Sequence, residues 1–283
     1  MENRILGKTG LSVGIWGFGG IAIRDTLQRE AAWIVSHAIE TGINYFDVAP
    51  TYGNAQQVLG AALKSKRDKV ILACKTNKRT RDGALKDLYD SLRVLHTEYI
   101  DVYQLHAVTV DEVRKVFDSG GAIEALEAAR TRGLIRYVGF STHYDNAAVK
   151  LIQEYDFDTM LFPVNWASWL KNGVGQAALT EAAKRNLGCI AVKGLAEQAK
   201  ENEFDGYPRC WYKPICNDPD LADLALRFTL SRTIHTALSP SDARLLELGL
   251  SILEKYGGIP APLSDEELAV LAKRAGEVML PVF

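Results

Sequence analysis

Short apolar runs and amphipathic stretches alternate along this chain eight times, and that rhythm restricts the fold more than any other feature. Runs rich in β-branched or aromatic residues occur near 13–18, 43–46, 69–74, 99–105, 135–140, 158–162, 188–192 and 233–236. Helical patterns fill the intervals at 27–41, 54–65, 82–95, 111–132, 145–155, 176–186, 219–231 and 242–255. Strands separated by helical crossovers run parallel, because each crossover returns the chain to the same end of the sheet. Eight such units in 283 residues favour a sheet closed on itself, a (β/α)8 barrel, over an open sheet. No Pro/Ser/Gly-rich linker divides the sequence, so residues 1–283 are expected to form one barrel domain.

Three segments stand outside the eightfold count. "RILGKTGLSV" places Gly7-Lys8-Thr9-Gly10 between short apolar runs and predicts an N-terminal hairpin closing the barrel bottom. "SDEELAVLAKRAGEV" opens with Ser264 and has Glu267 three residues on, a capping box that predicts an extra C-terminal helix outside the barrel. Residues 194–218 read as a long loop, of the length that usually shapes a site. The four cysteines lack a CxxC spacing. Cys74 and Cys189 read as core residues, and a Cys210–Cys216 pairing in the long loop is left open. A net charge of −2 gives no reason to expect a nucleic-acid or membrane-surface partner. With no signal-peptide core and no long apolar run, the expected location is the cytoplasm. The run "KTNKRTR", Lys75 to Arg81, reads mainly as a solvated loop.

Barrel enzymes build their sites at the C-terminal ends of the strands. There the sequence places Asp47, then Tyr52 in the turn "PTYGN", Lys75 ending "KVILACK", and His106 ending "YIDVYQLH". An acid, a phenol, an ammonium and an imidazole thus converge from three neighbouring strands. A phenol titrates near 10, too high for efficient proton transfer at neutral pH. A nearby ammonium would lower that value, and a carboxylate would keep the ammonium charged. Asp47 is therefore expected to hold Lys75, Lys75 to tune Tyr52, and Tyr52 to give a proton to an oxygen gaining charge, with His106 orienting that oxygen or sharing the proton. Each residue alone has a plainer reading: a turn cap for Asp47, packing for Tyr52, a solvated charge for Lys75, a core histidine for His106. Their joint placement favours catalysis.

The motifs "NYFDVAPTYGNAQQVLGAAL", the strand-end Lys75, "DVYQLH" and "YVGFSTH", in that order over nearly the whole chain, resemble those of the aldo-keto reductases. The resemblance implies a barrel, reversible carbonyl reduction, and a nicotinamide cofactor, usually NADPH with NADH possible. It implies a catalytic tetrad at Asp47, Tyr52, Lys75 and His106, no metal, and a small-molecule carbonyl substrate. It also implies cofactor contacts at Asp47, Ser141, Thr142 and Asn165, and at Lys193 and Leu195. The sequence departs from the family pattern at Thr142, where Asn is common, at Asn165, near a usual Gln, and at Val192 and Lys193, where an aromatic residue often stacks on the nicotinamide.

Gly19 and Gly20 read as a tight first loop lining the pocket. Ser239 and Ser241 fall where donors would face an anion at a helix N-terminus, and Arg244 matches an arginine that the resemblance places on the adenosine 2′-phosphate. "GFGGIA" fits G-x-G-x-x-A, but "RDT" separates it from the next helix and no acid follows at the required distance on a strand, against a dinucleotide fingerprint. Trp16, Trp166, Trp169, Trp211 and Tyr212 are equally readable as pocket walls or as packing. The rival functions are a cofactor-binding regulatory or redox-sensing barrel subunit with little turnover, and a Schiff-base barrel enzyme using Lys75. Substrate identity and oligomeric state are not written in the sequence.

Overall fold

A computed structural model describes residues 1–200, 206–280 and 282. Strands β1 (Asn3–Ile5) and β2 (Ser12–Gly14) pair antiparallel as the expected hairpin. Eight parallel strands then close on themselves: β3 (Trp16–Gly19), β4 (Tyr45–Asp47), β5 (Ile71–Thr76), β6 (Ile100–Leu105), β7 (Ile135–Ser141), β8 (Thr159–Pro163), β9 (Gly188–Val192) and β12 (Thr236–Leu238), which returns to β3. Two further strands, β10 (Ala196–Ala199) and β11 (Tyr212–Pro214), form a small antiparallel ribbon after β9.

Around the barrel lie α1 (Gln28–Glu40), α2 (Ala55–Leu63), α3 (Arg81–Val94), α4 (Val113–Phe117), α5 (Ala122–Thr131), α6 (Asp145–Glu154), α7 (Trp166–Asn172), α8 (Gln176–Lys184), α9 (Pro219–Leu230), α10 (Ala243–Tyr256) and α11 (Asp265–Glu277). None of the described helices is long and apolar enough to cross a membrane.

Alternation along the strands sorts the core into two parts, because successive side chains point to opposite faces. Phe46, Leu72, Cys74, Tyr103 and Leu105 join the large apolar layer between sheet and helices. Tyr45, Ala73, Val102, Leu161, Ile190 and Leu238 form a separate cluster inside the barrel, joined by Leu6 and Val13 from the hairpin segment. The hairpin thus plugs one end of the barrel, and the Tyr137 hydroxyl donates to the Thr9 carbonyl there at 2.6 Å. The opposite end holds the strand C-termini.

Several element boundaries differ from the sequence reading. Residues 12–14 belong to the hairpin rather than to the first barrel strand. The helix expected over 111–132 is two helices, α4 and α5, because the "SGG" between them includes Gly120 at φ 75°, in the left-handed region that ends a helix. An additional helix, α7, follows β8, its N-terminus capped by Asn165, which accepts from the Ser168 N–H at 3.0 Å. The long loop carries the β10–β11 ribbon, and its residues 201–205 lie outside the described residues. The expected capping box of α11 is present, and Glu267 also pairs with Arg227. All four cysteines are free thiols.

Candidate active site

One step of alternation carries the barrel interior from apolar to polar. Asp47 lies two residues beyond Tyr45, Lys75 two beyond Ala73, and His106 four beyond Val102, so each faces inward where its strand ends. All three line one cavity with Tyr52. Every barrel strand reaches this cavity through a residue at or just past its C-terminal half: Gly19, Asp47, Lys75, His106, Ser141, Leu161, Val192 and Leu238.

The Lys75 ammonium forms an ion pair with Asp47 Oδ1, and both residues are almost fully buried. Burial alone would push the lysine pKa down. The carboxylate of Asp47 and the Tyr52 phenol reverse this, and the pKa lies above its ordinary value. Lys75 Nζ lies 5.5 Å from the Tyr52 ring centroid. The Tyr52 pKa is raised, because burial outweighs the opposing attraction of Lys75 for the phenolate. The sequence expectation of a lowered tyrosine pKa is corrected here: the lysine limits the rise without reversing it. Tyr52 is therefore a protonated phenol at neutral pH, set beside the cation that stabilises its conjugate base.

The His106 ring meets Tyr52 edge-on, with centroids 6.0 Å apart. Burial, and then the nearby Lys75 and Arg79 cations together with the His143 imidazole, hold its pKa down at about 3, so the imidazole is neutral. Its Nδ1 lies 2.8 Å from Asn77 Oδ1, and the Arg79 guanidinium donates to the His106 carbonyl at 2.6 Å. Two residues of the supposedly solvated basic run, Asn77 and Arg79, thus contact His106 at the cavity. His143, which the sequence reading passed over, also lines the cavity, neutral with a pKa pushed down to about 4 by burial and by Lys193. Its position two residues after Ser141 on an inward-facing parity was the available signal.

Trp211 and Tyr212 of the ribbon segment are cavity walls. The Trp211 ring lies 5.9 Å from that of Tyr52. Lys193 lines the same wall, 5.9 Å above the Tyr212 ring, with φ 67° and a pKa lowered by burial to about 8. Trp16 and Trp166 are core residues, and Trp169 packs against Phe228.

Gly19, Ser141, Lys193, Ser239 and Ser241 reach the cavity as expected. Gly19 donates its N–H to Ser239 Oγ at 3.0 Å, and a Cβ at that position would stand 2.4 Å from the Ser239 carbonyl oxygen. Gly20, Thr142, Asn165, Leu195 and Arg244 do not line it. Gly20 starts a short 3-10 turn whose next residue, Ile21, takes the wall position. Thr142 Oγ1 donates to the Val108 carbonyl, and Leu195 is buried with its carbonyl accepting from Ile215. The Asn165 amide donates to the carbonyls of Lys193 and Ala196 while its oxygen caps α7, which leaves it little capacity for a ligand. Arg244 is tied to Asp242 through Nε and Nη2, donates to the Gly206 carbonyl, and stacks 4.1 Å from the Tyr207 ring centroid. A larger cavity, about 420 Å³, opens beside Met1, Ile15 and Gly257 at the plugged end, but its acids Glu2 and Glu254 face no catalytic partner there.

Residues 10–209 match the Aldo/keto reductase family. The chain belongs to that family. An uncharacterised oxidoreductase of Bacillus subtilis, YqkF, is 28% identical over 96% of this chain and 95% of its own length. The L-glyceraldehyde 3-phosphate reductase of Escherichia coli K12 is 28% identical over 74% of this chain and 66% of its own length. Among solved structures, the holo form of aldo-keto reductase AKR11C1 from Bacillus halodurans superposes with a TM-score of 0.74 at 24% identity, covering 97% of this chain and 96% of that one. An aldo-keto reductase from Klebsiella pneumoniae in complex with NADPH gives a TM-score of 0.73 at 22% identity, covering 96% of this chain and 94% of that one. These likenesses below 25% identity concern the barrel itself, and this aldo/keto reductase carries its acid, phenol, ammonium and imidazole on the rim of that barrel.

Proposed function

We propose that this aldo/keto reductase reduces an aldehyde or ketone to the alcohol with a nicotinamide cofactor, NADPH in preference to NADH, and that Tyr52 supplies the proton. The observation that carries the reading is the juxtaposition of a buried, protonated Tyr52 with an Asp47-held Lys75 ammonium at one cavity.

The rim suits a dinucleotide. Asp47 Oδ2 is buried and has no hydrogen-bond partner among the described residues, an acceptor that a ribose hydroxyl would satisfy. Ser239 and Ser241 bring hydroxyls to the cavity from the turn into α10. Lys193 brings a cation for an anionic oxygen. When bound, the reduced nicotinamide supplies the hydride for the carbonyl carbon.

The protein's own part is electrostatic and protonic. As the carbonyl oxygen gains charge, Tyr52 Oη gives it a proton. The Lys75 ammonium stabilises the phenolate left behind, and Asp47 keeps that ammonium in place. Neutral His106 and His143 add no competing positive charge, so Lys75 remains the cation closest to the phenol. In the reverse direction the phenolate accepts the alcohol proton.

The adenosine end is more finely balanced. Arg244 would meet a 2′-phosphate, yet Asp242 already occupies two of its nitrogens and caps α10. The preference for NADPH is therefore modest. A panel of aldehydes and ketones followed at 340 nm with NADPH and NADH separately tests the reading. Turnover of at least one carbonyl with a lower KM for NADPH is expected. Tight NADPH binding without turnover across the panel would favour a sensing subunit instead.

A further inference from the structure

We propose that the substrate is a carbonyl compound carrying an anionic group, a carboxylate or a phosphate, and that the Lys193 ammonium holds that group while the carbonyl meets Tyr52. The proposal rests on the carbonyl-reducing reading and names its substrate class. Lys193 directly follows β9, and β9 stands four strands from β5 in either direction around the closed barrel. Lys193 and Lys75 therefore line one cavity from opposite sides. Proton transfer from Tyr52 calls for one ammonium beside the phenol, and Lys75, held by Asp47, is that one. The ammonium across the chamber has a different task.

The local backbone keeps Lys193 in place. Its φ of 67° lies in the left-handed region, which is costly for a residue with a side chain. Two donors secure the turn: Asn165 Nδ2 reaches the Lys193 carbonyl at 3.0 Å, and the Ala196 N–H reaches it at 3.1 Å. Asn165 Nδ2 also donates to the Ala196 carbonyl at 2.8 Å, and the Trp166 indole N–H donates to that same carbonyl at 3.0 Å. A strained residue persists only where its surroundings over-determine it, and such residues cluster at ligand clamps and active sites.

The wall between this ammonium and the phenol is aromatic. The Tyr212 ring lies 5.9 Å from Lys193 Nζ, and the ring of the preceding residue, Trp211, lies 5.9 Å from that of Tyr52. Two consecutive residues thus connect the anion anchor with the proton donor, a span that suits a short substrate whose charge lies a few carbons from its carbonyl. On the other side His143 feels the charge of Lys193, and His106 in turn feels His143, so Lys193 belongs to the reacting end of the cavity. The cofactor's phosphates are left to Ser239 and Ser241, at the turn into α10. A half-buried ammonium attracts a carboxylate or phosphate oxygen more strongly than one in open water, because screening is weaker there.

The test compares kcat/KM, followed at 340 nm with NADPH, for succinic semialdehyde against butanal and for glycolaldehyde phosphate against glycolaldehyde. Wild type should favour the charged member of at least one pair by about tenfold or more, as a hydrogen bond to a charged group allows. The pair that shows the preference tells carboxylate from phosphate. Lys193→Met should cut that preference about tenfold, and Lys193→Arg, which keeps the charge, should retain most of it. Titration calorimetry of the NADP+-loaded chain with succinate and with inorganic phosphate reads the same contact without turnover, and Lys193→Met should weaken the matching anion about tenfold. A charged-to-neutral ratio near one in wild type for both pairs, or a ratio that Lys193→Met leaves untouched, would overturn the proposal while the carbonyl-reducing reading stands. So would a loss of NADPH affinity in Lys193→Met as large as the change in the ratio, which would put the ammonium on the cofactor's pyrophosphate. A chain that reduces none of the four aldehydes yet binds succinate or phosphate through Lys193 would defeat the carbonyl-reducing reading and keep the anion site.

Discussion

Tyr52→Phe isolates the proton donor with little collateral change, since it removes one oxygen and keeps the ring that packs edge-on against His106 and Trp211. The buried Asp47–Lys75 pair stays intact, so no unpaired charge is created. What disappears is the phenol beside the ammonium. General acid catalysis by a positioned group contributes roughly 10²–10⁴ in rate, or about 3–5 kcal/mol of transition-state stabilisation. Reduction followed at 340 nm under saturating NADPH should show a fall of that size in kcat. The Kd for NADPH, read from quenching of Trp fluorescence, should change less than threefold. The pH dependence supplies a second reading. Reduction needs the protonated phenol, which is the form present below the Tyr52 pKa, and burial raises that pKa above 10. The donor should therefore stay loaded through pH 9, while alcohol oxidation, which needs the phenolate, should accelerate as pH rises. Lys75→Met removes the group that opposes the rise and should move that limb further upward. A Tyr52→Phe enzyme within tenfold of wild type would show that the proton comes from elsewhere and would refute the assignment.

Other expectations follow from charge placement. Because Asp242 occupies Arg244, Arg244→Ala should weaken NADPH by only about 1 kcal/mol and leave NADH unchanged, whereas Asp242→Asn, which still caps α10, should tighten NADPH relative to NADH; paired dissociation constants decide both. With the Lys193 pKa lowered to about 8, anion binding at that wall should be strong below pH 8 and weaken above it, a step that Lys193→Met should erase from a plot of Kd against pH. Far from the cavity, buried Asp101 pairs with Arg67 and Arg136 and accepts from the Leu72 N–H, so Asp101→Ala should cost about 3–5 kcal/mol of stability in urea titration.

The barrel was legible because eight apolar runs, each short enough for a strand, were each followed by a helix-length amphipathic stretch. The convergence of these side chains on one cavity was legible because strand ends and side-chain parity can be counted: Asp47, Lys75 and His106 sit an even number of residues beyond inward-facing apolar partners. The rest depended on what neighbours do with a side chain. Asn165 is an amide near the right strand end, but nothing in its position foretold that the Lys193 and Ala196 carbonyls would claim it. Pattern places Arg244 on a phosphate, but the hold of Asp242, two residues before it, on that guanidinium emerges only from the folded turn into α10. The Tyr52 pKa is decided by a contest between burial and Lys75, and only coordinates give the burial. Asn77 and Arg79 were submerged in a basic run that, by composition alone, belongs in solvent.

Closure of the barrel joins β3 to β12, residues more than two hundred positions apart, with Ala237 opposite Trp16 and Leu238 opposite Gly17. The Gly19 N–H and Ser239 Oγ extend that seam into the cavity wall. Such distant partners meet late on a growing chain, because the loop they close is long and its entropy is surrendered before the contact forms. A ribosome-bound chain stopped short of residue 236 already carries Asp47, Tyr52, Lys75 and His106, yet its sheet has an open edge beside Gly19. Folding and the acquisition of a complete rim therefore culminate in one late event, and an incomplete chain holds all four of these side chains without the chamber that gathers them.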